Sequence, residues 1–255
     1  MRSHLYTLVC CALATLACAG CGRLPGKPTP ADVPLKPRQV RDFALLYSEY
    51  CAGCHGPEGK GNCALALANP VYLAIANDET LRRVTALGVH GTLMPPFAQS
   101  AGGDLTDEQI DILVTGMRSR WAKDDAVTGA TPPPYASNTT SDPKRGAEVY
   151  TTFCASCHGP EGKGTEKSGS IVDGSYLALV SDQSLRSTVI AGRPELGQPD
   201  WRNCVPGRPM TPADVTDVVA WLSSQRTKTP GQPYASNHES QTMSRERTYV
   251  RTKPD

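Results

Sequence analysis

Apolar positions along this chain recur at helical spacing in two separate sets of three stretches, divided by polar, Gly- and Pro-rich segments. In the first set, Ala44, Leu45 and Tyr47 mark a helix over Asp42 to Tyr50. Leu81 and Val84 mark one over Asp78 to Leu87, and Ile110, Leu113, Val114 and Met117 mark a third after Thr106. In the second set, Ala147 and Tyr150 belong to Lys144 to Phe153, and Leu185, Val189 and Ile190 to Asp182 to Ala191. Val215, Val218, Val219 and Leu222 form the face of a last helix after Thr211. Thr106 and Thr211 read as N-caps, with Gln109 at capping-box spacing behind the first and Pro212 in the first turn behind the second. The pattern predicts an all-α chain with long loops.

The two sets are copies of one unit. CAGCHGPEGKG (Cys51 to Gly61) recurs as CASCHGPEGKG (Cys154 to Gly164), and Tyr72-Leu73-Ala74 as Tyr176-Leu177-Ala178. Each copy closes on Pro-Tyr-Ala-Ser-Asn, at Pro134 to Asn138 and Pro233 to Asn237, a segment expected to be loop. A chain of 255 residues suits two domains of this kind. The expected divisions are residues 40–125 and 143–228, with a linker over 126–142 and a disordered tail over 229–255.

Composition removes one class of function. Lys plus Arg is 26 against Asp plus Glu 25, so no basic field for nucleic acid exists. Hydrophobic content of 39% and aromatic content of 6% are thin for two well-filled cores, and a large apolar cofactor in each domain would make up the deficit.

Residues 1–21 read as an export signal: Arg2 supplies the positive region, and Leu5 to Ala17 an apolar stretch shorter than the about 20 residues of a membrane span. Cys18-Ala19-Gly20-Cys21 resembles a bacterial lipobox in which Cys21 is lipidated, although Cys18 stands where an aliphatic residue is usual. Cleavage after Ala17-Cys18-Ala19 is the alternative. Pro25, Pro28, Pro30, Pro34 and Pro37 make residues 22–39 an extended tether. The expected location is outside the cytoplasm, periplasmic or on the outer face of the cytoplasmic or outer membrane, held by a lipid rather than a transmembrane helix.

The repeated C-x-x-C-H is the strongest chemical signal. It reads as c-type haem attachment, in which two cysteine sulfurs add to the porphyrin vinyl groups and the adjacent histidine ligates iron. A redox dithiol would need a βαβ setting, and a zinc site would need further ligands. Both repeats resemble class I cytochrome c domains. The resemblance implies that Cys51, Cys54 and His55 hold one haem and Cys154, Cys157 and His158 a second, for two covalent haem c groups. It also implies a distal methionine from a later loop. Leu93-Met94-Pro95-Pro96-Phe97 resembles that loop, with Met94 as ligand and His90 a nearby rival in a turn. In the second repeat the corresponding stretch is Gln198-Pro199-Asp200-Trp201, and the nearest methionine, Met210, aligns with Leu105. Met210 is the expected distal ligand of the second haem, since thioether sulfur binds haem iron better than a neutral amide. The alternatives are Gln198 ligating or lining the pocket, an open distal position, and Met210 packing in the last helix's first turn as Leu105 does. Cys63 and Cys204 lack counterparts; a disulfide between them and two unpaired thiols are both compatible with the sequence.

No paired catalytic carboxylates, nucleophile elbow or phosphate loop is present, so the chain is expected to carry electrons rather than to catalyse. The resemblance implies redox protein partners: a quinol–cytochrome c oxidoreductase, a terminal oxidase or another haem protein. A peroxidase-like enzyme using an open second haem is the alternative.

Overall fold

A computed structural model describes Gly26 and residues 33–227. The export segment with Cys21, most of the proline tether, and the second Pro-Tyr-Ala-Ser-Asn lie outside the described residues. The described residues divide into two units between Val40 and Arg41. In the first, Pro37–Gln39 make a single 3₁₀ turn, with the Lys36 N–H donating to Gln39 Oε1 at 3.1 Å. Both repeats belong to the second unit.

The described residues are helical, without a strand; two isolated bridges aside, no sheet pairing occurs among them. The first repeat holds α1 (Phe43–Tyr50), α2 (Ala52–His55), α3 (Pro70–Ile75), α4 (Asp78–Leu87) and α5 (Asp107–Trp121). The second holds α6 (Pro143–Phe153), α7 (Ala155–His158), α8 (Gly174–Leu179), α9 (Asp182–Ala191) and α10 (Pro212–Ser224). The two middle helices span the residues that the apolar periodicity marks out. Helices α2, α3, α7 and α8 lie in stretches where the pattern predicts only loop, because four to six residues are too few to display a period. Asn69 and Asp173 start α3 and α8 by accepting two backbone N–H groups each.

In each repeat the first helix crosses the last, and the crossing depends on one glycine. A Cβ on Gly116 of α5 would lie 2.0 Å from the Phe43 ring of α1. In the second repeat the partners are exchanged: the glycine is Gly146 on α6, where a Cβ would lie 2.1 Å from the Asp217 carbonyl and 2.8 Å from Trp221 Cβ on α10. Phe43 aligns with Gly146 and Gly116 with Trp221, so a large–small pair has swapped helices while the crossing is kept. Buried Leu46, Leu113 and Val114 fill the first core, and Leu177, Leu185, Val219 and Leu222 the second.

An arginine closes each third helix. Arg118 of α5 donates to the carbonyls of Leu73 and Ala76 and pairs with Asp78 at 2.5 Å. Arg226, just beyond α10, donates to Leu177 and Val180 carbonyls at 3.0 and 2.8 Å and pairs with Asp182. The two arginines are not aligned in sequence, yet they satisfy equivalent carbonyls. The first Pro-Tyr-Ala-Ser-Asn, expected only to be loop, is fastened by a buried cation. Arg186, 3% exposed, donates to the carbonyls of Pro134 (2.8 Å) and Tyr135 (3.0 Å) and to Thr216 Oγ1 (3.0 Å). Gln183 adds a bond to the Tyr135 carbonyl at 2.8 Å.

Candidate haem-binding sites

Each C-x-x-C-H sits where the first helix ends and a single further turn begins. Cys51 is the C-cap of α1 and the residue before α2, so Cys51, Cys54 and His55 fall on one turn. Cys154, Cys157 and His158 stand in the same way between α6 and α7. The following loop folds back on the histidine: the Gly61 N–H donates to the His55 carbonyl at 2.8 Å, and Gly164 to that of His158 at 3.0 Å. Gly56 permits the reversal, with φ +77° and a hypothetical Cβ only 2.3 Å from the Gly61 oxygen. Tyr47 and Tyr150 brace the loops from the first helices, donating to the Gly56 and Gly159 carbonyls at 3.0 and 2.5 Å.

The two imidazoles are oriented differently. His55 Nδ1 lies 2.8 Å from the Leu65 carbonyl, which can only accept, so Nδ1 carries the proton and Nε2 keeps its lone pair. His158 Nδ1 lies 3.1 Å from Ser168 Oγ, whose own proton goes to the Cys157 carbonyl at 2.8 Å. The hydroxyl therefore accepts from Nδ1–H, and Nε2 is again the free nitrogen. Burial holds both rings below the ordinary imidazole range, against the acceptors of Leu65 and Gly169; Arg193 also acts in the lowering sense on His55. Neutral imidazoles with a committed Nδ1 are the form that ligates iron.

The first cysteine of each pair is buried enough to push its thiol up to about 12, with the second cysteine's charge adding to the shift and, for Cys154, Cys204 as well. A dithiol for disulfide exchange needs the opposite, a lowered thiol. Among the described residues no group of three or more His, Cys, Asp or Glu side chains is placed so as to hold a metal ion. Two sulfurs and one free Nε2 on a single turn fit a covalently attached haem.

The loops around Met94 and Gln198 share their backbone bonds. Val89 N–H donates to the Met94 carbonyl at 3.0 Å, and Arg193 N–H to the Gln198 carbonyl at 3.0 Å. Gly88 receives this loop so closely that a Cβ would be 2.6 Å from the Met94 oxygen and 2.5 Å from Pro95 C; at Gly192 the corresponding atom is Pro199 C at 2.6 Å. Farther on, Leu105 N–H donates to Phe97 and Met210 N–H to Trp201, at 2.8 and 2.9 Å. Gln198 thus has the backbone place of Met94, and Met210 that of Leu105. Met210 and Leu105 are buried at the threshold of the last helix, 2% and 0% exposed. The Gln198 Nε2 donates to the Thr188 carbonyl at 3.3 Å. His90 is exposed.

Cys63 and Cys204 are free thiols, each beside its own repeat's pair. Cys63 Sγ approaches the Cys54 carbonyl at 3.7 Å, and Cys204 Sγ the Asp200 carbonyl at 3.5 Å. Of the two arrangements that the sequence allowed, the structure has unpaired thiols. Cys63 has a functional counterpart after all: in the second repeat Thr165 and Ser168 donate to the equivalent Cys157 carbonyl.

The sequence comparisons fall on the same two repeats. Residues 143–226 match the family model described as Cytochrome c, and residues 38–115 the model described as Cytochrome C oxidase, cbb3-type, subunit III. The cbb3-type cytochrome c oxidase subunit FixP of Azorhizobium caulinodans is 28% identical over 160 residues, 58% of this chain and 49% of that protein. The chain therefore spans about half the length of this curated relative. No helix among the described residues is long and apolar enough to cross a membrane.

Proposed function

From the premise that this chain carries two cytochrome c-type domains, we propose that it is a dihaem electron-transfer protein serving a respiratory oxidase from outside the cytoplasm. Cys51 and Cys54 hold one haem and Cys154 and Cys157 the other, with His55 and His158 as proximal ligands. Bound haem supplies one-electron chemistry at iron. The chain's own residues fix each imidazole tautomer through Leu65 and Ser168, and they fold the C-x-x-C-H loop back on the histidine. The observation that carries this reading is the pair of matching turns, each presenting two sulfurs and one uncommitted Nε2.

Met94 is the distal ligand of the first haem. The second haem has Gln198, not a methionine, in the equivalent loop position; the match of Met210 to Leu105 supports a packing role for Met210. This favours a weakly ligated or open second iron, the one feature that speaks for the peroxidase-like alternative. The oxidase is a cytochrome c oxidase of the cbb3 type, by the likeness to FixP and subunit III, and the chain acts as its electron-transfer subunit or carrier. Cys21 carries the lipid that keeps it at the membrane.

Mass determination with haem quantification tests the core of this reading. Two covalent haems per chain are expected, falling to one in a Cys51→Ala/Cys54→Ala variant. One haem or none in the unsubstituted chain refutes it. Reduced-minus-oxidised spectra on membrane and soluble fractions test the anchor, and peroxide turnover with an electron donor tests the alternative.

A further inference from the structure

The two repeats touch at a place that concerns both haem sites. Asn69, buried in the first repeat, donates from Nδ2 to the carbonyl of Ala191, the last residue of α9, at 2.9 Å. Two residues on, Arg193 crosses to the first repeat and donates from Nη2 to the Asn62 carbonyl at 2.8 Å. Its Nε pairs with Glu195 at 2.5 Å, and the two side chains are only 15% and 24% exposed. Glu195 in turn lies against Gly61, where a Cβ would meet its Oε1 at 2.8 Å.

Asn62 and Gly61 belong to the loop that folds back on His55, since Gly61 donates to the His55 carbonyl. Arg193 belongs to the other site: its N–H and C=O are both paired with Gln198, at 3.0 Å each. One residue thus joins the distal loop of the second site to the proximal loop of the first.

We propose that Arg193 and Glu195 form a charge pair that couples the second haem's distal loop to the first haem's proximal loop and sets the first haem's potential. The inference rests on the reading of His55 as a haem ligand. Reduction removes one positive charge from iron. A nearby cation therefore favours the reduced state and a nearby carboxylate the oxidised state, and burial strengthens both effects. In the pair the two oppose one another, so removing either partner exposes the other. The lowering influence of Arg193 on the His55 ring is consistent with a guanidinium within electrostatic reach of that ligand.

The test is a redox titration of the full haem-loaded chain, following haem-methyl NMR resonances assigned to each domain, with haem counted by mass. Arg193→Gln is expected to lower the first haem's midpoint and Glu195→Gln to raise it. Shifts of one sign, or no shift in either variant with the haem attached, overturn the proposal. Should Arg193→Gln not fold, Glu195→Gln decides alone: a rise supports the coupling and a fall or no change sinks it. A chain without haem on Cys51 and Cys54 fails the underlying reading instead, and mass reveals which of the two has failed.

Discussion

At the scale of single residues, the two C-x-x-C-H histidines differ in what faces Nδ1: a carbonyl for His55, and for His158 the Ser168 hydroxyl with the Gly169 backbone also acting on the ring. His55 gives its Nδ1 proton to a carbonyl and His158 to a hydroxyl. Such a partner raises the basicity of the ligating nitrogen and so favours the oxidised iron. Ser168→Ala is expected to raise the second haem's midpoint, by up to about tenfold in the electron-transfer equilibrium or about 59 mV, while leaving the first unchanged. A potentiometric titration resolving both haems checks this. Asp214 offers a second residue-scale prediction. Burial alone would raise its carboxyl, but the Thr211 backbone and hydroxyl and then Arg145 outweigh it, holding the group below the usual carboxylate range. The folded value is depressed, so the stabilisation is full above the unfolded value of about 3.9 and disappears as pH falls through the folded one. Urea midpoints are expected to fall steeply below about pH 4. Asp214→Asn should start lower at neutral pH and fall less steeply in acid.

At the scale of elements, the helix crossings are the points of least tolerance. Gly116→Ala drives a methyl into the Phe43 ring, and Gly146→Ala drives one into the Asp217 carbonyl. Each should cost about 1–3 kcal/mol or more, read from denaturant unfolding of the haem-loaded chain. Arg186→Met strands the Pro134 and Tyr135 carbonyls that the guanidinium satisfies, at a cost of about 1.5–3 kcal/mol. The long helices were legible in the sequence because ten or more residues show a period and Thr106 and Thr211 announce their starts. The C-x-x-C-H turns were legible as chemistry but not as helices, being too short for any pattern. Other features were invisible for a different reason. The large–small swap of Phe43 and Gly116 against Gly146 and Trp221 shows only when two helices are seen crossing. Arg118 and Arg226 do one job from unaligned positions, so alignment of the repeats hides their equivalence. The role of Pro-Tyr-Ala-Ser-Asn was hidden too, because backbone carbonyls make the contact and its side chains largely do not.

At the scale of the whole molecule, the two sites share a scaffold and differ at the distal loop. Gln198 has the backbone place of Met94, so on the proposed reading the second haem would lack the thioether that raises the potential of a His/Met haem. On the proposed dihaem reading, the second haem would be the lower-potential centre and would pass its electron to the first; Asn69 and Arg193 make hydrogen bonds between the two repeats. Two resolved transitions are expected in a redox titration. Gln198→Met is expected to lift the lower transition toward the upper one, because the introduced sulfur starts from the position that Met94 occupies in the first repeat. Met210→Leu is expected to leave both transitions in place, since Leu105 fills the same buried position without touching iron chemistry. The opposite pattern would identify Met210 as the ligand: Met210→Leu would lower the second transition, and Gln198→Met would do nothing. The two variants measured together therefore decide which residue governs the second iron, and with it the direction in which the chain conducts.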